Sequence, residues 1–229
     1  MPAGAGKLKY MQTPQIIVLL GRSGCGKGTQ AKSLQEKFDL EYLSSGDLLR
    51  KRMKSDDFSG RKLKIALDKG DRAPTFLMFQ LWATAIEKIK NKSDLKGLVI
   101  DGSPRSLPEA KLMDHTFEWY EWPDVKIVLL DISETEALER LTKRRICKNC
   151  QRIIPWLNNF KKLEKCDECG GELIARFDDT KEAIKARLDF FKKDVQPAID
   201  YYEKNNRLIR VNGERPIKEV HQEILEKIK

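Results

Sequence analysis

Gly21-Arg22-Ser23-Gly24-Cys25-Gly26-Lys27-Gly28-Thr29 lies between an apolar run and a helical stripe. It fits G-x-x-x-x-G-K-[ST], except that Gly28 takes the last place and Thr29 follows. Ile16-Ile17-Val18-Leu19-Leu20, just upstream, is a β-branched apolar run of strand length. Downstream, Thr29 to Phe38 spaces Ala31, Leu34 and Phe38 along one face of a helix. Strand, glycine-rich turn and helix in that order form a phosphate cradle. Glycines let backbone N–H groups converge on phosphate oxygens, the helix N-terminus adds partial positive charge, and Lys27 adds a full one. The plainer alternative is a flexible glycine turn in an α/β domain. Gly4-Ala5-Gly6-Lys7 looks similar but follows no strand, and residues 1–14 read as a disordered extension.

A chain of 229 residues, 40% hydrophobic and 34% charged, can bury one sizeable core, with or without insertions. No apolar run approaches the roughly 20 residues of a membrane span, and no signal-peptide core is present, so a cytoplasmic protein is expected. The net charge of +9 suits nucleic acid or small polyanions equally, since no basic block dominates. Four of the five cysteines stand in pairs, which favours metal over disulfide.

Past the first helix, Ser44 or Ser45 can cap a helix through Asp47, Leu48 and Arg50. A helix over about 60–69 stops at Gly70, and another runs from Thr75 to about Lys90 with Phe76, Phe79, Trp82, Ala83 and Ile86 on its core face. Leu98-Val99-Ile100-Asp101 is a second buried strand ending in a carboxylate, followed by Gly102-Ser103-Pro104-Arg105. Beside a phosphate loop, a strand-end Asp is placed to hold Mg²⁺ or its water shell; elsewhere it is a turn former. Residues 108–118 read as a helix and 125–131 as a third strand. Ser133 caps a helix to about Arg144, with Ala137, Leu138 and Leu141 inside. A long helix over about 180–204, a strand at 208–211 and a last helix from Pro216 complete the chain.

Cys147-x2-Cys150 and Cys166-x2-Cys169, fifteen residues apart, suit tetrahedral Zn²⁺, with Gly170 and Gly171 allowing the second knuckle its turn. Four cysteines close the coordination sphere, so the metal would staple a lobe. A ribbon that binds nucleic acid stays open, since Trp156, Asn158, Asn159, Phe160, Lys161 and Lys162 lie between the knuckles. Arg140, Arg144 and Arg145 precede this insert, and Arg176, Asp178, Asp179 and Arg187 follow it; the spacings 140/144 and 176/187 put each pair on one face if helical.

With these motifs the chain resembles the nucleoside monophosphate kinases, most closely adenylate kinases with a zinc-bearing lid, from about Gln15 to the C-terminus. The resemblance implies a P-loop NTPase fold, three layers α/β/α around a central parallel sheet. A helical monophosphate-binding lobe is inserted at 44–75 and a zinc lid at 145–177 of a core spanning 15–229. It implies ATP contacts at Gly24, Cys25, Gly26, Lys27, Gly28, Thr29, Arg140, Arg144, Ile153, Ile154 and Arg215. The acceptor would be held by Ser45, Gly46, Arg50, Asp71, Arg72, Ala73, Gly102, Arg105, Glu109, Arg176 and Arg187. Lys27, Asp101, Arg105 and the arginines at 140, 144, 176 and 187 would serve catalysis, the last four arriving with the lid. Cys147, Cys150, Cys166 and Cys169 would hold zinc, and Asp101 would hold Mg²⁺ through water. The implied reaction moves the γ-phosphoryl of ATP to a monophosphate, AMP foremost, in a monomer with small-nucleotide partners and no nucleic acid. Ser103 replaces the aromatic of the family's D-G-[FY]-P-R, and Glu109 replaces a Gln that reads adenine. A carboxylate only accepts, which would suit guanine's N1–H and N2–H2, so GMP is the alternative acceptor. A zinc-ribbon nucleic-acid-binding ATPase is the alternative of another class.

Overall fold

The computed structural model describes residues 14–68, 71–176 and 179–229, so the expected extension, apart from Pro14, lies outside the described residues, as do Gly70 and Asp178. The chain runs β1 (Gln15–Leu20), α1 (Lys27–Phe38), β2 (Glu41–Ser44), α2 (Ser45–Arg52), α3 (Phe58–Asp68), α4 (Thr75–Lys90), β3 (Gly97–Asp101) and α5 (Leu107–Trp119). It continues with β4 (Val125–Asp131), α6 (Glu134–Lys143), β5 (Arg145–Cys147), β6 (Ile153–Ile154), a 3₁₀ turn (Asn158–Lys162) and β7 (Leu173–Ala175). Helix α7 (Lys181–Phe190), a π turn (Phe191–Val195), α8 (Gln196–Lys204), β8 (Leu208–Asn212) and α9 (Ile217–Lys227) close it.

Five strands in the order β2-β3-β1-β4-β8 form one sheet, every pair parallel. A parallel sheet covered on both faces needs strands apolar at every position, and β1 supplies this. Ile16, Val18 and Leu20 face Trp82, Met113, Phe117 and Tyr202, while Ile17 and Leu19 face Ala31, Leu34, Leu141 and Ile224. Each such side chain contributes about 1.5–3 kcal/mol on burial, which fixes β1 as the central strand. This is the P-loop α/β/α architecture expected. From β1 the chain fills β2 and β3 on one side and then crosses to β4 and β8 on the other, and ligands of such sheets sit at that switch point, beyond the carboxyl ends of the strands. Register sets which residues meet there: Asp101 is level with Leu19 of β1 and Ser44 of β2.

Several local expectations are corrected. Phe76 is 71% exposed, and the core face of α4 is Leu77, Met78, Trp82, Ile86 and Ile89. On α6, Leu138 points outward and Arg140 takes the inner place with Ala137 and Leu141. Arg144 is the extended C-cap of α6, and Arg176 precedes α7, so neither arginine pair shares a helical face. The long C-terminal helix is interrupted by the π turn just before Pro197, whose missing N–H cannot continue an ordinary turn. Two features were not foreseen: the edge strand β2 and a small antiparallel sheet β6-β5-β7 carrying the cysteines. Among the described residues no helix is long and apolar enough to cross a membrane.

Candidate active site

The phosphate loop leaves β1 and enters α1 through Gly26, whose φ of 99° is left-handed and open to glycine at little strain. Helix α1 begins at Lys27, two residues earlier than expected. Lys27 lies over the loop, its ammonium donating to the carbonyls of Gly21 (2.8 Å) and Arg22 (2.9 Å) and standing 3.5 Å from the buried Cys25 thiol. Arg22 braces the loop from outside: it donates to Ile132 O and stacks on Phe191 at 4.4 Å. Asp101 closes the other side. A Cβ added to Gly28 would stand 3.4 Å from Asp101 Oδ2, so the carboxylate borders the first turn of α1. Tyr42, from β2, donates to the same oxygen at 3.2 Å; burial first, then the Asp101 charge, keep its phenol protonated far above the ordinary range. Tyr42 went unnoticed in sequence because a lone tyrosine carries no motif.

Ser44 caps α2 by accepting from Asp47 N–H, and the fully buried Ser45 donates to Gly102 O at 2.7 Å. Arg105 returns toward the same spot: Nε donates to Gly102 O (2.7 Å) and Nη2 to Ser45 Oγ (3.1 Å). Burial pulls its guanidinium pKa below the ordinary value. The negative charges of Glu109 and Asp101 oppose this, and the positive charges of Arg50 and Arg187 add to it. Arg105, from the β3–α5 loop, thus stands within the electrostatic reach of Asp101, of Arg50 on α2 and of Arg187 on α7, an arrangement made for anions. Arg50 is also paired with Asp47 at 2.6 Å.

The other arginines are placed differently from one another. Arg140, only 4% exposed, belongs to the core: it donates to Glu136 (2.6 Å) and to Gly213 O (3.0 Å), tying α6 to the turn before α9 rather than travelling with an insert. Arg144 and Arg187 meet on Asp179, Arg144 through two bonds of 2.7 Å and Arg187 through one of 2.6 Å. Burial penalises the Asp179 charge, yet the two guanidiniums hold its carboxyl below the usual range. Arg176 O accepts from Asp179 N–H, which brings Arg176 to the same corner. Arg72 is turned from the cleft onto Asp194 (3.0 Å) and the Phe190 ring (4.4 Å); Asp71 is exposed and Ala73 packs against the core. Ile154 is buried and Ile153 half exposed, because β6 presents alternate faces. Arg215 reaches Glu223 at 3.3 Å. Beside that turn a cleft of about 570 Å³ opens between Arg22, Asp131, Ile132, Ser133, Asn212 and Glu214.

Glu109 does not face the cleft. It is 3% exposed; Oε2 accepts from Arg105 N–H at 2.7 Å, and Oε1 is buried without a hydrogen bond. Burial raises its carboxyl pKa, with Arg105 N–H and Ser103 opposing.

The four cysteine sulfurs lie within 4.8 Å of one another, with Cys147–Cys169 at 3.4 Å and Cys150–Cys166 at 3.6 Å. Thiolates 2.3 Å from a tetrahedral zinc stand about 3.8 Å apart, so the set fits that ion. A Cβ on Gly171 would come within 2.8 Å of Cys147 Sγ, and only glycine leaves the sulfur its room. Backbone N–H groups of Cys150 and Asn149 favour the Cys147 thiolate against the penalty of burial. At Cys150 the pull of Arg152 N–H is outweighed by burial and the neighbouring sulfurs, which push that thiol up, so the sulfurs share their charge as one group.

A phosphate loop, a strand-end carboxylate and converging arginines at the switch point of a parallel sheet define a P-loop phosphotransferase. The family model described as adenylate kinase matches residues 19–207. An adenylate kinase of Chlamydia muridarum is 36% identical over 225 residues, covering 94% of this chain and 87% of that protein. One of Methanocella arvoryzae is 37% identical over 209 residues (91% and 95%), and one of Petrotoga mobilis 33% over 209 residues (91% and 94%). The chain belongs to the adenylate kinase family. It is a nucleoside monophosphate kinase, and its chemistry is phosphoryl transfer to a nucleoside monophosphate.

Proposed function

We propose that the chain transfers the γ-phosphoryl of ATP to AMP, giving two ADP. The observation that carries this is Asp101 between the phosphate loop, which it borders at Gly28, and Arg105, on which the charges of Arg50 and Arg187 also act. The relatives named adenylate kinase favour AMP as acceptor, and the inward-turned Glu109 removes the reason to prefer guanine.

In phosphoryl transfer, charge spreads over the moving oxygens, so positioning and fixed positive charge do the work. Lys27 exchanges its loop carbonyls for the β- and γ-phosphates, and the N–H groups of Gly24–Thr29 cradle them. Arg105 and Arg50 hold the acceptor phosphate, Arg187 lies between the two anions, and Arg144 and Arg176 close from the lid side. Arg140 fixes the Gly213–Arg215 turn, against which the donor's base would lie in the neighbouring cleft. Mg²⁺, when bound, neutralises charge between the phosphates, and Asp101 with Tyr42 would hold its water shell. We assign residues 44–75 to the acceptor lobe and 145–177 to the lid, where zinc on the four cysteines keeps the knuckles folded. Closing the lid excludes water as a competing acceptor. We propose further that the chain acts as a cytoplasmic monomer serving small nucleotides.

The test is diphosphate formation from ATP and Mg²⁺ with AMP, GMP, CMP and UMP in turn, for the wild type and Lys27→Met. AMP is expected to be the best acceptor, and Lys27→Met to lower kcat by about 10²–10³, the loss seen when one transition-state donor is removed. GMP as best acceptor would overturn the AMP assignment. ATP hydrolysis with no transfer to any monophosphate, together with salt-dependent oligonucleotide binding, would replace the proposal altogether.

A further inference from the structure

Glu109 buries its carboxyl group behind the loop that carries Arg105, and that group has no obvious work there. It stands three residues after Ser106, the N-cap of α5, whose Oγ accepts from Glu109 N–H at 3.3 Å. Ser-x-x-Glu ahead of an apolar helix is the capping-box pattern, in which the acid reaches back to a backbone N–H. Here it reaches one residue further, to Arg105 N–H at 2.7 Å. The side chain of that same Arg105 makes the contacts to Gly102 O and Ser45 Oγ that aim its guanidinium into the site. Burial favours the neutral form of Glu109 and prevails, with Arg105 N–H, Ser103 and Trp82 opposing it, although Ser103 Oγ, Trp82 Nε1 and Glu109 Oε1 complete no hydrogen bond. The carboxyl group is therefore lodged behind the loop, and a base in the cleft meets none of its open surface.

We propose that Glu109 is a positioning residue for Arg105: it fixes the backbone from which the acceptor-phosphate guanidinium is aimed, and it does not select the acceptor base. This rests on the function proposed above. It separates two consequences that a base-reading residue would join, affinity for the acceptor phosphate and choice of base.

Steady-state kinetics of Glu109→Ala, Glu109→Asp and Glu109→Gln, with AMP and GMP as acceptors, test it. Glu109→Ala removes the acceptor of the Arg105 N–H, and Glu109→Asp draws it back by one methylene. Both are expected to raise KM for AMP about tenfold while KM for ATP moves less than about twofold, the size of one lost hydrogen bond. Glu109→Gln keeps an acceptor oxygen at full reach and is expected to restore most of that loss. The AMP-to-GMP ratio of kcat/KM is expected to stay within about threefold across all variants. A Glu109→Gln variant whose ratio moves tenfold or more would make Glu109 a base reader and overturn the proposal. So would a Glu109→Ala variant with unaltered KM for AMP, or a rise shared equally by ATP. Should Glu109→Ala fail to fold, Glu109→Asp against Glu109→Gln gives the same decision. A wild type inactive on every monophosphate would overturn the proposed function and this inference together, whereas an active wild type with unmoved variants would overturn the inference alone.

Discussion

Replacing Asp179 by Asn probes the junction between α6, α7 and the insert. Asp179 has a side chain 4% exposed and accepts three charge-assisted bonds of 2.6–2.7 Å from Arg144 and Arg187, themselves 13% and 25% exposed. Such bonds contribute about 1.5–3 kcal/mol each. Asn with its oxygen in the Oδ1 place keeps two of the three acceptor contacts, so one bond is forfeited and the other two lose their charge assistance, about 3 kcal/mol together. The partial exposure of Arg187 lets solvent screen its share, which leaves about 2 kcal/mol. At about 2–4 °C per kcal/mol for a chain of this size, Tm should fall by about 4–8 °C in differential scanning fluorimetry. The lost anion takes from Arg144 the carboxylate it pairs with, and phosphate oxygens can replace it, so ATP should recover more Tm in the variant than in the wild type. The carboxyl pKa is depressed in the fold, so its contribution is present above the unfolded value of about 3.9 and is lost as pH falls through the folded one. The Tm difference should therefore shrink below about pH 4. A fall under about 1 °C at pH 7, or equal recovery by ATP in both proteins, would refute the role given to Asp179.

Two further outcomes follow from the geometry. Cys166→Ser should lower zinc from about one equivalent to a small fraction of that by elemental analysis and make residues 145–176 protease-sensitive, since a structural site needs all four ligands; unchanged zinc content would exclude this cluster as the metal site. Tyr42→Phe removes the donor to Asp101 Oδ2 and should raise the Mg²⁺ concentration for half-maximal activity about tenfold, as outer-shell changes do, with KM for AMP less affected; an unmoved Mg²⁺ curve would detach Tyr42 from the metal.

The strands of the sheet interior were legible because a buried parallel strand must be apolar at every position, and Ile16–Leu20, Leu98–Ile100 and Ile127–Leu130 are. β2, at the sheet edge, was not: Glu41–Ser44 is too short and too mixed to show a period. The cysteine pairs were legible because each knuckle is local in sequence. Side-chain direction was harder to read. Taking Phe76 for Leu77 and Met78 is an error of one or two positions around a helix, and aromatic size was a poor guide to which face is buried. Arg140 turned inward because Glu136, one turn earlier, and Gly213 O, 73 residues away, both wait inside; only the first was visible in sequence. Ser106 and Glu109 did carry a capping signature, but the attraction of a base contact hid it. Asp179 lay in plain view between two arginines, yet its partners are 35 residues before it and 8 after it, a choice made by the fold.

The two ends of the cysteine-bearing insert are neighbours: Arg145 pairs with Ala175 across β5 and β7. Whatever is strung between them begins and ends at one point on the rim of the sheet, so its length and content are free of the architecture beneath. The insert is in that sense a cassette. A shorter loop, or one folded by apolar packing instead of thiolates, could be spliced at 145 and 175 with the parallel sheet unchanged, as long as Arg144, Asp179 and Arg187 remain outside the splice.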